Sequence, residues 1–273
     1  MQRTFPTPDP TGLHVEIGSG RVTVRAEQTD ETRVDVHGEG AEETVVEQRG
    51  NQIVVIGPKH RLGLFRSSPD LSVQVSMPLD SELVTQLGTA DLTVTGRLRA
   101  ARLKTGSGDI EVADVAGEAT ADAGSGDIEI GAVGGDVRVR CGSGRVTLGQ
   151  VGGAATVSTG SGDIEIGSVA GPAELKSGSG DARVGEARSD VTASTASGDV
   201  LVETMHVGRL QAKNVSGDIH VGVPAGVPVW TDVSTLTGHI HSSLAGAGEP
   251  SDGQPFIELR AVTVSGDIRL EQL

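Results

Sequence analysis

The sequence predicts an all-β fold, a parallel β-solenoid with two short strands per 18-residue coil and irregular N-terminal coils. The first observation behind this is a repeat. Gly-Ser-Gly-Asp or a close variant starts at Gly106, Gly124, Gly142, Gly160 and Gly178, always 18 residues apart, with GTAD at Gly88 and ASGD at Ala196 in the same register. The second is that each repeat divides into halves. GSGDIEIGA (124–132) and VGGDVRVRC (133–141) both read as a turn followed by a short alternating strand. The third is composition. Glycine makes up 40 of 273 residues, while the only aromatic residues are Phe5, Phe65, Trp230 and Phe256. A core filled by Val, Ile, Leu and Ala alone is too thin for rings.

Strand alternation assigns the inward columns. The first strand contributes Ile110/Val112, Ile128/Ile130, Val146/Leu148, Ile164/Ile166 and Val200/Val202, followed by Val115, Val133, Val151 and Val169. The second contributes Ala119/Ala121, Val137/Val139, Ala155/Val157 and Ala173/Leu175. One such unit cannot bury its apolar face alone; stacking neighbours at about 4.8 Å does so. Chain chirality favours a right-handed coil. Helix is not expected where glycine and β-branched residues dominate.

The organisation along the chain follows from where the beat holds. Residues 1–86 read as irregular β coils and a cap, 87–214 as the regular repeats, and 215–273 as longer irregular coils and a C-terminal strand, all in one continuous domain. Segments 58–70 and 245–255 read as surface loops.

The formal charge of −15 argues against nucleic acid and anionic lipid surfaces as broad partners. A single cysteine, Cys141, suits a reducing compartment. The opening MQRTFPTPDP has no apolar leader core, and no run approaches eighteen apolar residues. A cytoplasmic location with no transmembrane segment is expected.

The repeated GSGDIEI/VGGDVRV units, the segment V-x-V-x-M-P-L-D-S before the repeats and the last SGDI strand resemble the putative adhesin family of β-strand-repeat domains, also called toastrack domains. The resemblance covers about residues 10–273. It implies a bacterial β-solenoid of unknown function. Some family members are attached to membrane proteins of envelope-stress signalling, which implies a scaffold role. It carries over no catalytic residues.

Candidate sites are few. Asp91, Asp109, Asp127, Asp163, Asp181 and Asp199 form a column that could hold calcium, or could accept hydrogen bonds from each residue's own turn. The outward face of the first strand is acidic (Glu111, Glu129, Glu165), and that of the second leans basic (Arg102, Lys104, Arg138, Arg140, Lys176). His220, His239 and His241, with Asp218, are the candidate metal ligands, expected on adjacent coils one strand spacing apart. Loop 58–70 combines Lys59, Arg61 and Arg66 with Leu62, Leu64 and Phe65, and is either a docking loop or a cap. Asp163, Glu165, Asp181 and Arg183 could imitate the acids of polysaccharide-acting β-helix enzymes, but Gly-x-Ser-x-Gly and phosphate-loop motifs are missing.

These features point to a non-enzymatic scaffold or protein-interaction module without a cofactor. Its protein partner is unnamed by the residues, and self-association through solenoid faces or ends is open. The alternative is a surface adhesin or ligand-binding module.

Overall fold

The computed structural model describes residues 1–58, 70–245 and 254–273, in two compact units, Met1–Gly135 and Asp136–Leu273. Each is a β-solenoid of two facing sheets. Apart from one 3-10 turn at Ala41–Glu43, the described residues form strands, turns and connections.

The first unit carries β1 (Gln2–Pro6), β2 (Gly12–Ile17), β3 (Ser19–Glu27), β4 (Glu31–Gly38), β5 (Val45–Arg49), β6 (Gln52–Ile56), β7 (Asp70–Pro78), β8 (Glu82–Leu87), β9 (Asp91–Leu98), β10 (Ala100–Thr105), β11 (Ile110–Val115), β12 (Ala119–Ser125) and β13 (Ile128–Val133). One sheet runs β1-β4-β7-β3-β9-β11-β13 and the other β12-β10-β8-β2-β6-β5. The repeat registers as expected: Ile110 lies beside Ile128 and Ala101 beside Ala119, in parallel pairs. The N-terminal coils are irregular, as expected, and here the pairing is not all parallel. There β4 runs antiparallel to β7, β1 antiparallel to β4, and β5 antiparallel to β6. The β5–β6 link is a tight Gly50-Asn51 turn with Gly50 at φ 61°, which reverses the chain and cannot make a crossover. Coil β2–β3 sits between β6–β7 and β8–β9, so the chain does not stack its coils in sequence order.

The second unit carries β14 (Val137–Ser143), β15 (Val146–Val151), β16 (Ala155–Thr159), β17 (Ile164–Val169), β18 (Ala173–Ser179), β19 (Ala182–Ala187), β20 (Val191–Ser197), β21 (Val200–Met205), β22 (Gly208–Ser216), β23 (Ile219–Val223), β24 (Val229–Thr237), β25 (Ile240–Ser242), β26 (Ile257–Ser265) and β27 (Ile268–Gln272). Its sheets run β15-β17-β19-β21-β23-β27-β25 and β24-β26-β22-β20-β18-β16-β14. The last coil in sequence, β26–β27, is again out of order. It lies between β22–β23 and β24–β25, parallel to both.

The predicted inward columns are the core. Ile164, Ile166, Val184, Val202, Val221 and Leu270 are at most 2% exposed, as are Val157, Leu175, Ala193, Ala212 and Leu259 on the facing sheet. Burying each Val, Ile or Leu contributes about 1.5–3 kcal/mol. Backbone approach at the turns excludes side chains. A Cβ on Gly162 would stand 1.9 Å from the carbonyl oxygen of Gly144 in the preceding coil.

Two polar ladders tie the turns together. On the outside, an aspartate of one coil accepts the backbone N–H of the equivalent residue one coil on. In the first unit Asp109 donates to Asp91 (3.2 Å) and Asp127 to Asp109 (2.9 Å). In the second, the series runs Asp181 to Asp163, Asp199 to Asp181, Asp218 to Asp199, Asp267 to Asp218 and His239 to Asp267, at 2.7–3.1 Å. The expectation that each aspartate serves its own turn is therefore corrected: the acceptor bridges coils. On the inside, buried Ser177, Thr195, Asn214 and Thr263 donate to the turn carbonyls of Gly162, Gly180, Gly198 and Gly217. Each is a polar group whose burial is offset by a hydrogen bond that also closes a turn.

Candidate functional site

The histidines do not assemble as expected. Register places Arg269 of β27 beside both His220 of β23 and His241 of β25, so the inserted strand separates the two. His220 instead faces Glu271 at 3.2 Å, and His239 lies 3.6 Å from Asp267. The His239 and His241 rings are 6.0 Å apart. Asp218 is engaged through Oδ1 by the Asp267 N–H. Among the described residues no group of three or more His, Cys, Asp or Glu side chains is placed to hold a metal ion. Asp267 has its carboxyl held below the usual range, chiefly by the hydrogen bond from the His239 N–H; burial opposes this, and the nearby Arg269 guanidinium adds to the lowering.

The loop candidates Lys59, Arg61, Leu62, Leu64, Phe65 and Arg66 lie outside the described residues. The charged faces are exposed as the alternation implies. Glu111 pairs in register with Glu129, whereas Glu165 lies beside Arg183. Asp163 and Asp181 each have an oxygen committed to the ladder, and Arg145 approaches Asp163 at 3.8 Å. That arrangement accounts for Asp163 and Asp181 as turn acceptors. The M-P-L-D-S segment is structural too. Met77 and Ser81 are fully buried, Ser81 accepts the Thr11 N–H, and Asp80, at φ 58°, is gripped through both oxygens by Arg97 (2.7 and 2.9 Å).

The sequence reading missed a surface on the last three coils of the second unit. Register aligns one outward column through Gly160, Gly178, Ala196, Val215, Val264 and Leu236. In the regular coils this is the first glycine of the turn, and a Cβ at Gly178 would sit 2.5 Å from the Gly160 carbonyl oxygen. At the C-terminal coils it becomes a row of aliphatic side chains. Val215 is 56% exposed, Val264 45% and Leu236 79%, with Val262 (45%) adjoining. Val45 apart, the large apolar side chains exposed among the described residues fall within Val215–Leu273. A second anchor flanks the row: Trp230 is half-exposed and Arg260 stacks over its ring at 5.4 Å. Glu258 lies between Arg209 and Arg260, 2.9 Å from each, and is shielded from solvent. With Lys213 in the next row, this is a locally cationic, apolar face on an acidic chain. The signal in the sequence was the residue before each turn, where GSG gives way to ASG, VSG, LTG and VSG at 196–198, 215–217, 236–238 and 264–266.

Residues 11–271 match the model of the family described as Toastrack DUF4097. The chain belongs to the Toastrack family. The 18-residue repeat and the buried M-P-L-D-S turn of this Toastrack chain both lie within the matched residues. Similar solved structures include a putative adhesin from Bacteroides fragilis (12% identity, 99% of this chain and 96% of that chain, TM-score 0.41). Another is a putative lipid binding protein from Parabacteroides distasonis (15%, 99% and 96%, TM-score 0.47). A third is a putative adhesin from the same species (11%, 98% and 96%, TM-score 0.38). No curated protein matches. No helix among the described residues is long and apolar enough to cross a membrane.

Proposed function

We propose that this Toastrack chain is a non-enzymatic scaffold, a protein-interaction module of a reducing, cytoplasmic compartment. The docking surface is the outer face of β22, β26 and β24. The partner is a protein presenting aliphatic side chains bordered by acids. The observation that carries this reading is the replacement of turn glycines by the exposed row Val215, Val264 and Leu236, beside the Trp230–Arg260 stack. Exposed aliphatic side chains in contiguous rows on an otherwise polar solenoid mark an interaction surface. Trp and Arg are also the residues that most often anchor interfaces. Arg209, Lys213 and Arg260 against Glu258 and Asp232 leave a net positive rim, which selects an acidic border on the partner.

The test places a photo-crosslinking residue at Ser234 in native cells, purifies the crosslinked protein and measures its affinity for two chains. Wild type should bind it at least about ten-fold more tightly than Leu236→Ser/Val264→Ser, a typical loss for two truncated anchors. Equal affinity would overturn the surface assignment. Residues Lys59–Arg66 form a second docking element in this reading; deleting 60–66 should weaken capture and leave the melting temperature unchanged. Cell fractionation checks the compartment, with surface-accessible protein favouring an adhesin instead. The envelope-stress setting implied by the family predicts that the complex changes in amount when the envelope is stressed.

A further inference from the structure

The order of the last three coils has a consequence independent of any docking partner. In sequence the coils are β22–β23, β24–β25, β26–β27, and in space β26–β27 fills a slot between the other two. Both walls of the slot are complete strand pairs that depend on the insert. On one side Gly217 and Ile219 donate to Ser265 and Asp267, and Leu273 donates to Val223. On the other, Ile257 donates to Pro228, Gly266 to Thr237 and Ile268 to His239. The insert contributes Ile257, Leu259, Ala261, Ile268 and Leu270 to the core, each at most 2% exposed.

The outer wall, β24–β25, has no other strand paired with it among the described residues. It is attached through the insert and through the short connection 224–228. Coil β2–β3 is also threaded one coil in, but its outer wall, β6–β7, is backed by β4 and β5, and β4 in turn by β1. The C-terminal slot therefore opens without disturbing the regular repeats on its other side, and it can refill from outside. Sub-global openings of such units occur at free energies below that of global unfolding. The segment that fits the slot residue for residue, with inward Ile-x-Leu-x-Ala-x-Thr and outward Asp at the ladder position, is another molecule's β26–β27.

We propose that β26–β27 exchanges between copies of this chain, giving a reciprocal dimer in which each slot holds the other copy's last coil. Exchange of an identical element keeps every native contact and adds only the cost of association. The structure identifies a reporter pair for this. Lys213 of β22 and Val262 of β26 are outward-facing neighbours in register. Parallel neighbours about 4.8 Å apart lie within the span of a disulfide.

The experiment uses the full chain with Cys141→Ala. Tagged Lys213→Cys and untagged Val262→Cys chains are mixed, held a few degrees below the melting transition, cooled and oxidised. Thr156→Cys mixed with Glu174→Cys, a registered pair of inner coils, gives the background. Exchange predicts tagged–untagged disulfides at least about ten-fold above that background, and a dimer by native mass spectrometry of the wild type after the same hold. The double variant Lys213→Cys/Val262→Cys, oxidised beforehand as a monomer, should stay monomeric. Crosslinking at the background level overturns the proposal, whether the wild type stays monomeric or dimerises by its faces. So does dimer formation by the locked double variant. Circular dichroism of each single variant confirms the fold before mixing.

Discussion

Replacing Asp199 by alanine and, separately, by asparagine tests the outer ladder at its centre. Asp199 donates its N–H to Asp181 at 2.8 Å and accepts that of Asp218 at 2.7 Å. Alanine removes the acceptor and leaves the Asp218 N–H to water. A hydrogen bond to a charged group is worth about 1.5–3 kcal/mol, and solvent access puts this one at the low end. Removing the charge also relieves repulsion from Asp181 and Asp218. Carboxylates about 4.8 Å apart repel by about 0.9 kcal/mol in water, and screening at physiological salt reduces that to roughly 0.5 each. Asp199→Ala should thus lose about 0.5–1 kcal/mol net. Asp199→Asn keeps an oxygen acceptor, loses about 1 kcal/mol of charge assistance and gains about the same in relief, so it should match wild type within roughly 0.5 kcal/mol. Urea unfolding followed by circular dichroism resolves the two, and higher salt should stabilise wild type more than Asp199→Asn. If alanine proves harmless while asparagine destabilises, the ladder is not what the aspartates are for.

Three further outcomes are expected. Leu259→Ala, at a fully buried position of the inserted coil, should cost about 2–5 kcal/mol and abolish hydrogen-exchange protection across 229–242, which hangs on that coil. Asp80 and Asp267 have folded pKa values below the ordinary 3.8, Asp80 mainly through its Arg97 hydrogen bond and Asp267 through the His239 N–H. Their stabilisation is complete above the unfolded pKa and is lost as pH falls through the folded one. Acid melts should therefore drop below about pH 4, and less steeply in Asp267→Asn. Zinc titration followed by thermal shift should give no saturable stabilisation, because Arg269 stands between His220 and His241.

How legible this protein was depends on the range of the interaction concerned. The inward columns, such as Ile164/Ile166 and Ala173/Leu175, follow from alternation and an 18-residue period, and they are buried as the pattern requires. The exposed apolar row was harder to see. Its signal is a glycine column giving way to Val215, Val264 and Leu236, and those residues are neighbours only once β26 lies between β22 and β24. Reading the histidines as adjacent failed for the same cause.

Periodicity by itself determined that the chain is a two-strand solenoid with a thin aliphatic core, because each coil's faces are set by local alternation and by the need to stack on a like neighbour. Which coil stacks on which, which way the N-terminal strands run, and whose N–H each aspartate accepts were decided by the tertiary structure. Repeats this similar present nearly the same edge to one another. Sequence order therefore cannot select among the pairings; the completed set of hydrogen bonds and buried contacts does.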